Sequence, residues 1–249
     1  MKRVYNNWLV RATLGFAAMT GARVVSTLLH MTTLDKLYKP RDFRRTSHIE
    51  LSDEITSSLP RYCQTVYGLK MDPINLMFIG TEAGLRRAFE KAGWHGAHPS
   101  TPVHLFLGLV SSVFRRSYKQ GPFMPLFVDI GMQDLAFQKT TKTNKFAQRH
   151  HIRIWRTRHK LGDRNYLWVA AATHETGMKV VWLPPFIVHR MDPDLDYERD
   201  FIAGELIEQG HLMAGDHQLN DAIKRTKPKR NPNNDHYYSD GRAKAIEIV

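Results

Sequence analysis

The chain has 249 residues, 42% of them apolar and 24% charged, with a single cysteine and a formal net charge of +12. This is ordinary globular content, enough for one sizeable core with flanking arms or two small domains. The lone Cys63 excludes an internal disulfide framework. The cationic surplus fits nucleic acid, anionic lipid or acidic small molecules. Paired zinc-ligand spacings, a basic region leading into heptads and an RNP-type aromatic run are all missing, so no nucleic-acid partner is expected.

Residues 1–31 open with Lys2 and Arg3 and continue "WLVRATLGFAAMTGARVVSTLLHM". Cations followed by apolar residues are the order of an export signal or anchor. Arg11 and Arg23 leave eleven uncharged residues between them, a signal-peptide length, whereas a membrane span needs about 20. The segment reads as a signal, an anchor or an amphipathic surface helix, and places the chain at a membrane or the cell envelope ahead of the cytoplasm. Residues 32–72 read as an extended arm and 73–249 as the core domain.

"INLMFIG" (74–80) predicts a buried strand, and Thr81 caps an amphipathic helix that Gly93 closes. A second helix starts at "PSTP" (99–102). Its body "VHLFLGLVSSVF" is too short to cross a bilayer and is expected to pack through Phe106, Leu109, Val110 and Val113. "MPLFVDIGMQDLAFQKTT" (124–141) predicts one strand bent at Gly131. "RHHIRIW" and "YLWVAAATHETG", joined by "HKLGDRN", predict a hairpin. Asp192 and Pro193 open a last helix with Leu195, Ile202 and Leu206 inward and Gly210 as its stop. Residues 211–239 read as a mobile loop, and "GRAKAIEIV" as a closing strand. The order of elements gives an α+β domain with a mixed, mainly antiparallel sheet covered by helices, behind an N-terminal helical or anchor segment.

Alternation puts Arg149, His151, Arg153 and Trp155 on one face of the first hairpin strand. With Arg158 opposite Asn165, Trp155 would face Trp168, Arg153 Ala170, His151 Ala172 and Arg149 His174. Alanines opposite long cations describe a pocket that grips a phosphate or carboxylate through Arg149, His151, Arg153 and His174. The same charges also fit an internal ion-pair network with Asp192, Asp196, Arg199 and Asp200, floored by Trp155 and Trp168. A third reading is a hydrolase in which Asp196 or Glu198 orients His151. His150 and His151 point to opposite faces and no HExxH occurs, so no metal site and no cofactor are expected. GxSxG, the P-loop and GxGxxG are absent.

"DPINLMFIGTEAGLRRAFEKAGW", "MPLFVDIGMQDLAFQK", "RHHIRIW", "HRMDPDLDYERD" and "YYSDG" together resemble successive blocks of the LssY C-terminal domain family, over roughly residues 60–249. The family is named for a component assigned to type I secretion. Its domain stands behind an N-terminal membrane or signal segment, or follows DedA-like and PAP2-like membrane domains. The resemblance implies an envelope setting, an accessory domain of unassigned activity and no particular reaction. Partners in keeping with it are an anionic lipid, a phosphorylated ligand or a membrane protein. It singles out Arg149, His151, Arg153, Trp155, Asp196, Glu198, Arg199 and Asp200.

Overall fold

The computed structural model describes residues 50–65, 68–98, 131–141, 148–182 and 185–249. It also describes 46–48, 119–121, 123, 125–129 and scattered helical positions between 8 and 26 and between 103 and 111. In chain order the elements are β1 Thr46–His48, α1 Asp53–Ser58, β2 Tyr62–Gln64, β3 Lys70–Pro73, β4 Leu76–Gly80, α2 Glu82–Lys91 and β5 His95–Gly96. They continue as β6 Phe127–Val128, β7 Gly131–Met132, β8 Leu135–Thr140, β9 Arg149–Leu161, β10 Asn165–Trp182 and β11 Pro185–Met191. The chain ends with α3 Leu195–Glu208, β12 Leu212–Gln218, β13 Lys229–Arg230, β14 His236–Tyr237 and β15 Arg242–Glu247.

Nine strands make the main sheet, in the order β12-β15-β4-β10-β9-β8-β5, with β1 on β9 and β11 on β10. All pairs are antiparallel except β1 with β9 and β15 with β4. The class is therefore α+β, mixed and mainly antiparallel. β4 lies between β10 and β15 with both faces covered, so every residue of "LMFIG" is buried and apolar. It runs straight into α2, whose cap Thr81 accepts a hydrogen bond from the Gly84 amide at 3.0 Å.

One face of the sheet lies under α2 and α3. Phe78, Ile152, Ile154, Trp168, Ala170 and Ala172 pack there against Leu85, Phe89, Ile202 and Leu206. The other face carries a layer that the element order did not announce, the four-stranded sheet β3-β2-β6-β7 together with α1. Trp155, Val169, Ala171, Met77 and Ile79 meet Ile55, Leu59, Cys63 and Leu126 there.

This second layer is built from segments expected to be simpler. Residues 124–141 are not one bent strand. A tight turn with Asp129 at φ 54° folds β6 against β7, and β8 then joins the main sheet. The expected arm at 32–72 contains β1, α1, β2 and most of β3, and in the main sheet the expected loop at 211–239 supplies edge strand β12. Asp194 rather than Asp192 caps α3, accepting from the amides of Asp196 and Tyr197 at 3.2 and 3.1 Å. In the second predicted helix Val103 and Leu107 are exposed, and Val110 is half-buried. Phe106, Leu109 and Val113 lie outside the described residues.

Candidate functional site

β9 is a single strand of 13 residues, and its alternation holds: Arg149, His151, Arg153 and Trp155 share the face toward the smaller sheet. The register against β10 is displaced by one residue from the expected one. Arg149 faces Glu175, His151 faces Thr173, Arg153 faces Ala171 and Trp155 faces Val169. Near the turn Tyr166 pairs with Lys160, yet Trp168 pairs with Arg156, so β9 gains two residues in a bulge and every later partner shifts.

The displacement sets acceptors opposite Arg149 and His151 and leaves Arg153 opposite an alanine. Arg149 Nε donates to Glu175 Oε2 at 2.6 Å, and its Nη1 donates to Gln138 Oε1 on β8. Glu175 also lies 3.2 Å from His151 Nδ1 and 3.1 Å from His189 Nδ1 on β11. The His151 contact is close enough for charge attraction but is not aligned as a hydrogen bond. On its other nitrogen, His151 Nε2 is 2.7 Å from Thr173 Oγ1 and 3.1 Å from Arg153 Nη1. Guanidinium only donates, so Nε2 must accept, and the ring proton belongs on Nδ1 facing Glu175. The ring of Phe123 covers both guanidiniums at 5.0 and 4.9 Å from Arg149 and Arg153.

Arg149, His151, Arg153 and Glu175 are buried, between 3% and 8% exposed, and His189 is half-buried. Burial pushes the Glu175 carboxyl up, but Arg149, His189 and His151 outweigh it and hold the group well below the usual range. Burial pushes His151 and His189 down to about 4 despite Glu175, so both are neutral at pH 7. Asp72 is raised by burial, which Arg153 offsets only in part and Asp235 and Glu175 reinforce. Lys179 is closed on Asp235 at 2.6 Å. Arg153 is the loose member. Its nearest carboxylate oxygen, on Asp72, is 3.9 Å away, its Nε has no hydrogen-bond partner, and its Nη1 shares the His151 lone pair with Thr173.

The residues expected to join this face lie behind the sheet. His174 sits on the helix side, stacked on His150 at 4.6 Å, with Nδ1 3.4 Å from Asp192. Glu198, fully buried on α3, meets His150 Nδ1 at 2.7 Å, and burial raises its carboxyl. Trp168 packs under the helices, its indole N–H donating to the Gly80 carbonyl at 3.0 Å, so the two tryptophans do not share a floor. The β9 row is covered by the smaller sheet and Phe123, not by the last helix. His151 therefore meets neither Asp196 nor Glu198, and the hydrolase pairing has no geometry behind it.

Arg199 gathers the acids of α3 and the C-terminal turn, reaching Asp196 at 3.2 Å, Asp200 at 2.7 Å and Asp240 at 2.6 Å. Lys244 adds a second cation to Asp200 at 2.8 Å. Burial opposes ionisation of both acids, yet Arg199 and Lys244 hold Asp200, and Arg199 with the Arg242 amide holds Asp240, below the usual carboxylate range. The Ser239 hydroxyl and Asp240 amide donate to Asp196 at 2.7 and 2.8 Å, so this ion-pair cluster joins α3 to the start of β15. Asp192 stays outside it, beside His174.

A family model described as the LssY C-terminus matches residues 56–243. The chain belongs to that family. No curated protein and no solved structure matches it.

The matched span of this LssY C-terminal domain contains the whole β9 cluster and the Arg199 cluster apart from Lys244. Sequence reasoning missed Asp72, Gln138, Thr173, Glu175 and His189 as members of the former. Thr173 and Glu175 carried a usable signal, since they alternate on β10 just as the cations do on β9. Asp72, Gln138 and His189 arrive from other strands and carry none. Among the described residues no group of three or more His, Cys, Asp or Glu is placed to hold a metal ion.

Proposed function

We propose that this LssY C-terminal domain is an envelope-associated accessory module that binds an anionic group, a phosphate or carboxylate, at Arg153 beside His151 and Arg149. The observation that carries the reading is the loosely paired Arg153 guanidinium. It is 8% exposed, its Nε has no hydrogen-bond partner, and its carboxylate contact is a long one, 3.9 Å to Asp72. Arg149 and Lys179 hold carboxylates at 2.6 Å, so Arg153 is the buried cation with the weakest counter-charge contact. Phe123, lying over both guanidiniums, is the side chain a ligand must displace. Phosphorylated small molecules, anionic lipid headgroups and an acidic segment of a membrane protein all present the required group.

The envelope setting draws support from the N-terminal helical positions. Trp8, Val10, Leu14, Phe16 and Met19 are 43–65% exposed, and residues 1–34 contain no acid. Thermal melts of the full chain with inorganic phosphate test the anion reading. Phosphate should raise Tm in the native sequence, by mass action, and should do nothing for a cooperatively folding Arg153→Gln variant. An equal phosphate shift in both proteins, or none in the native one, removes the reading.

The tight Arg149–Glu175 pair favours a second reading, in which the row is purely an ion-pair lock between sheet layers. Under it, Arg153→Gln lowers Tm and phosphate moves neither protein.

A further inference from the structure

Charges of both signs meet around Arg153, and among the described residues they cancel. Arg149, Arg153 and Lys179 are the cations, and Glu175, Asp72 and Asp235 the carboxylates. Lys179 is half-buried and the others are buried. Arg149 with Glu175 and Lys179 with Asp235 are tight pairs at 2.6 Å, while Arg153 and Asp72 stand 3.9 Å apart. An anion seated on Arg153 would add a negative charge to a neutral, buried cluster, so a proton must enter with it.

We propose that the Arg153 site takes a singly charged anion, a phosphodiester or a carboxylate, together with one proton that lands on Asp72. This deepens the anion-binding reading and rests on it. Position picks Asp72 as the acceptor. Glu175 keeps Arg149, and Asp235 keeps Lys179, when the ligand arrives. Asp72 has only Arg153 within ion-pair distance among the described residues, and the ligand competes for that cation. Nothing else facing Asp72 holds its charge. Asp235 and Glu175 repel it, and burial, which already raises the Asp72 carboxyl, also pushes up the neighbouring Cys63 thiol and the Tyr237 phenol, so neither carries charge. The histidines are poorer acceptors. His151 Nε2 accepts from Arg153 at 3.1 Å, so a proton there would point donor at donor, and His189 lies against Glu175 instead. A doubly charged phosphomonoester would need a second proton, for which no such acceptor remains.

Linkage fixes the direction. The bound anion raises Asp72 above its free value; between the two values affinity falls as pH rises, by about tenfold per unit for one proton, and below the free value it is level. Titration calorimetry of the full chain with dimethyl phosphate, and separately with acetate, in paired buffers of different ionisation enthalpy counts the protons near neutral pH, where both ligands keep one charge. The native protein should take up about one proton per anion bound. Asp72→Asn, isosteric and already neutral, should bind without uptake and gain about tenfold in affinity at pH 7.5. A protonated-carboxyl band should appear in the infrared difference spectrum of the native complex, a readout that does not depend on the variant folding. Binding without uptake, undiminished uptake in Asp72→Asn, or an absent band overturns the inference and leaves the anion site standing. Proton-coupled binding of dimethyl phosphate alone makes the ligand a phosphodiester, and of acetate alone a carboxylate. If inorganic phosphate binds and neither monoanion does, the inference falls alone; if none of the three binds, the anion site falls with it.

Discussion

Glu175→Gln removes the carboxylate that Arg149, His151 and His189 share. In the native protein Arg149 Nε sits 2.6 Å from Glu175, and the two side chains are 4% and 8% exposed. Breaking a buried pair from one side leaves a charge without compensation and costs about 3–5 kcal/mol. Gln138 still accepts from Arg149, and the new amide oxygen accepts another hydrogen bond, so the lower end applies. For a domain of this size about 3 kcal/mol is a fall in Tm of about 6–12 °C. Circular dichroism melts at pH 7.5 measure it directly. The second half of the test is a cycle with Arg149→Met. If the loss arises from an orphaned guanidinium, the double variant should recover about 2 kcal/mol relative to the sum of the singles. A fall below about 2 °C, or strict additivity, would refute the view that this pair is closed and buried.

The same cluster makes stability depend on pH in a stated direction. His151 and His189 titrate near 4 in the folded protein and near 6.5 when unfolded. The unfolded chain therefore takes up protons first, and stability present above pH 6.5 is lost as pH falls toward 4, on the order of 3 kcal/mol per histidine. Glu175, depressed when folded, extends the loss below its unfolded value, while Asp72 and Glu198, raised by burial, offset part of it. Urea midpoints at successive pH values should fall through this window and flatten in His189→Gln; an unchanged slope in that variant would discard the assignment. Gly241→Ala probes the turn before β15, where φ is +80° and an added Cβ would lie 2.1 Å from the Asn220 carbonyl oxygen. We expect a loss of at least about 2 kcal/mol in urea unfolding, since both backbone strain and a backbone clash must be relieved; a native-like midpoint would refute that.

Local pattern was enough for much of this molecule. "INLMFIG" followed by Thr81 and Glu82 announced a buried strand turning into a capped helix, and β4 and α2 follow that pattern. Strict alternation along 149–155 put Arg149, His151, Arg153 and Trp155 on one face, because the extended backbone has a period of two whatever surrounds it. Leu195, Ile202 and Leu206 likewise lie inward on α3 at helical spacing.

What faces that row was beyond the reach of local pattern. A bulge of two extra residues on β9 between Arg156 and Lys160 moves the pairing, and one step of register puts Thr173 in place of Ala172 opposite His151 and Glu175 in place of His174 opposite Arg149. Alternation cannot detect it, because β9 keeps its two faces while the neighbour slides past. Nor could it tell which layer covers the cations. Asp72, Phe123 and His189 come from other segments and meet the row only when the smaller sheet and β11 close over β9, while Gln138 arrives on the neighbouring strand β8. The sequence by itself determined which side chains travel together on each strand and helix. The tertiary structure alone decided that Glu175 closes on Arg149 and that Arg153 meets its carboxylate only at long range, since distance between strands depends on register and layering, not on spacing along the chain.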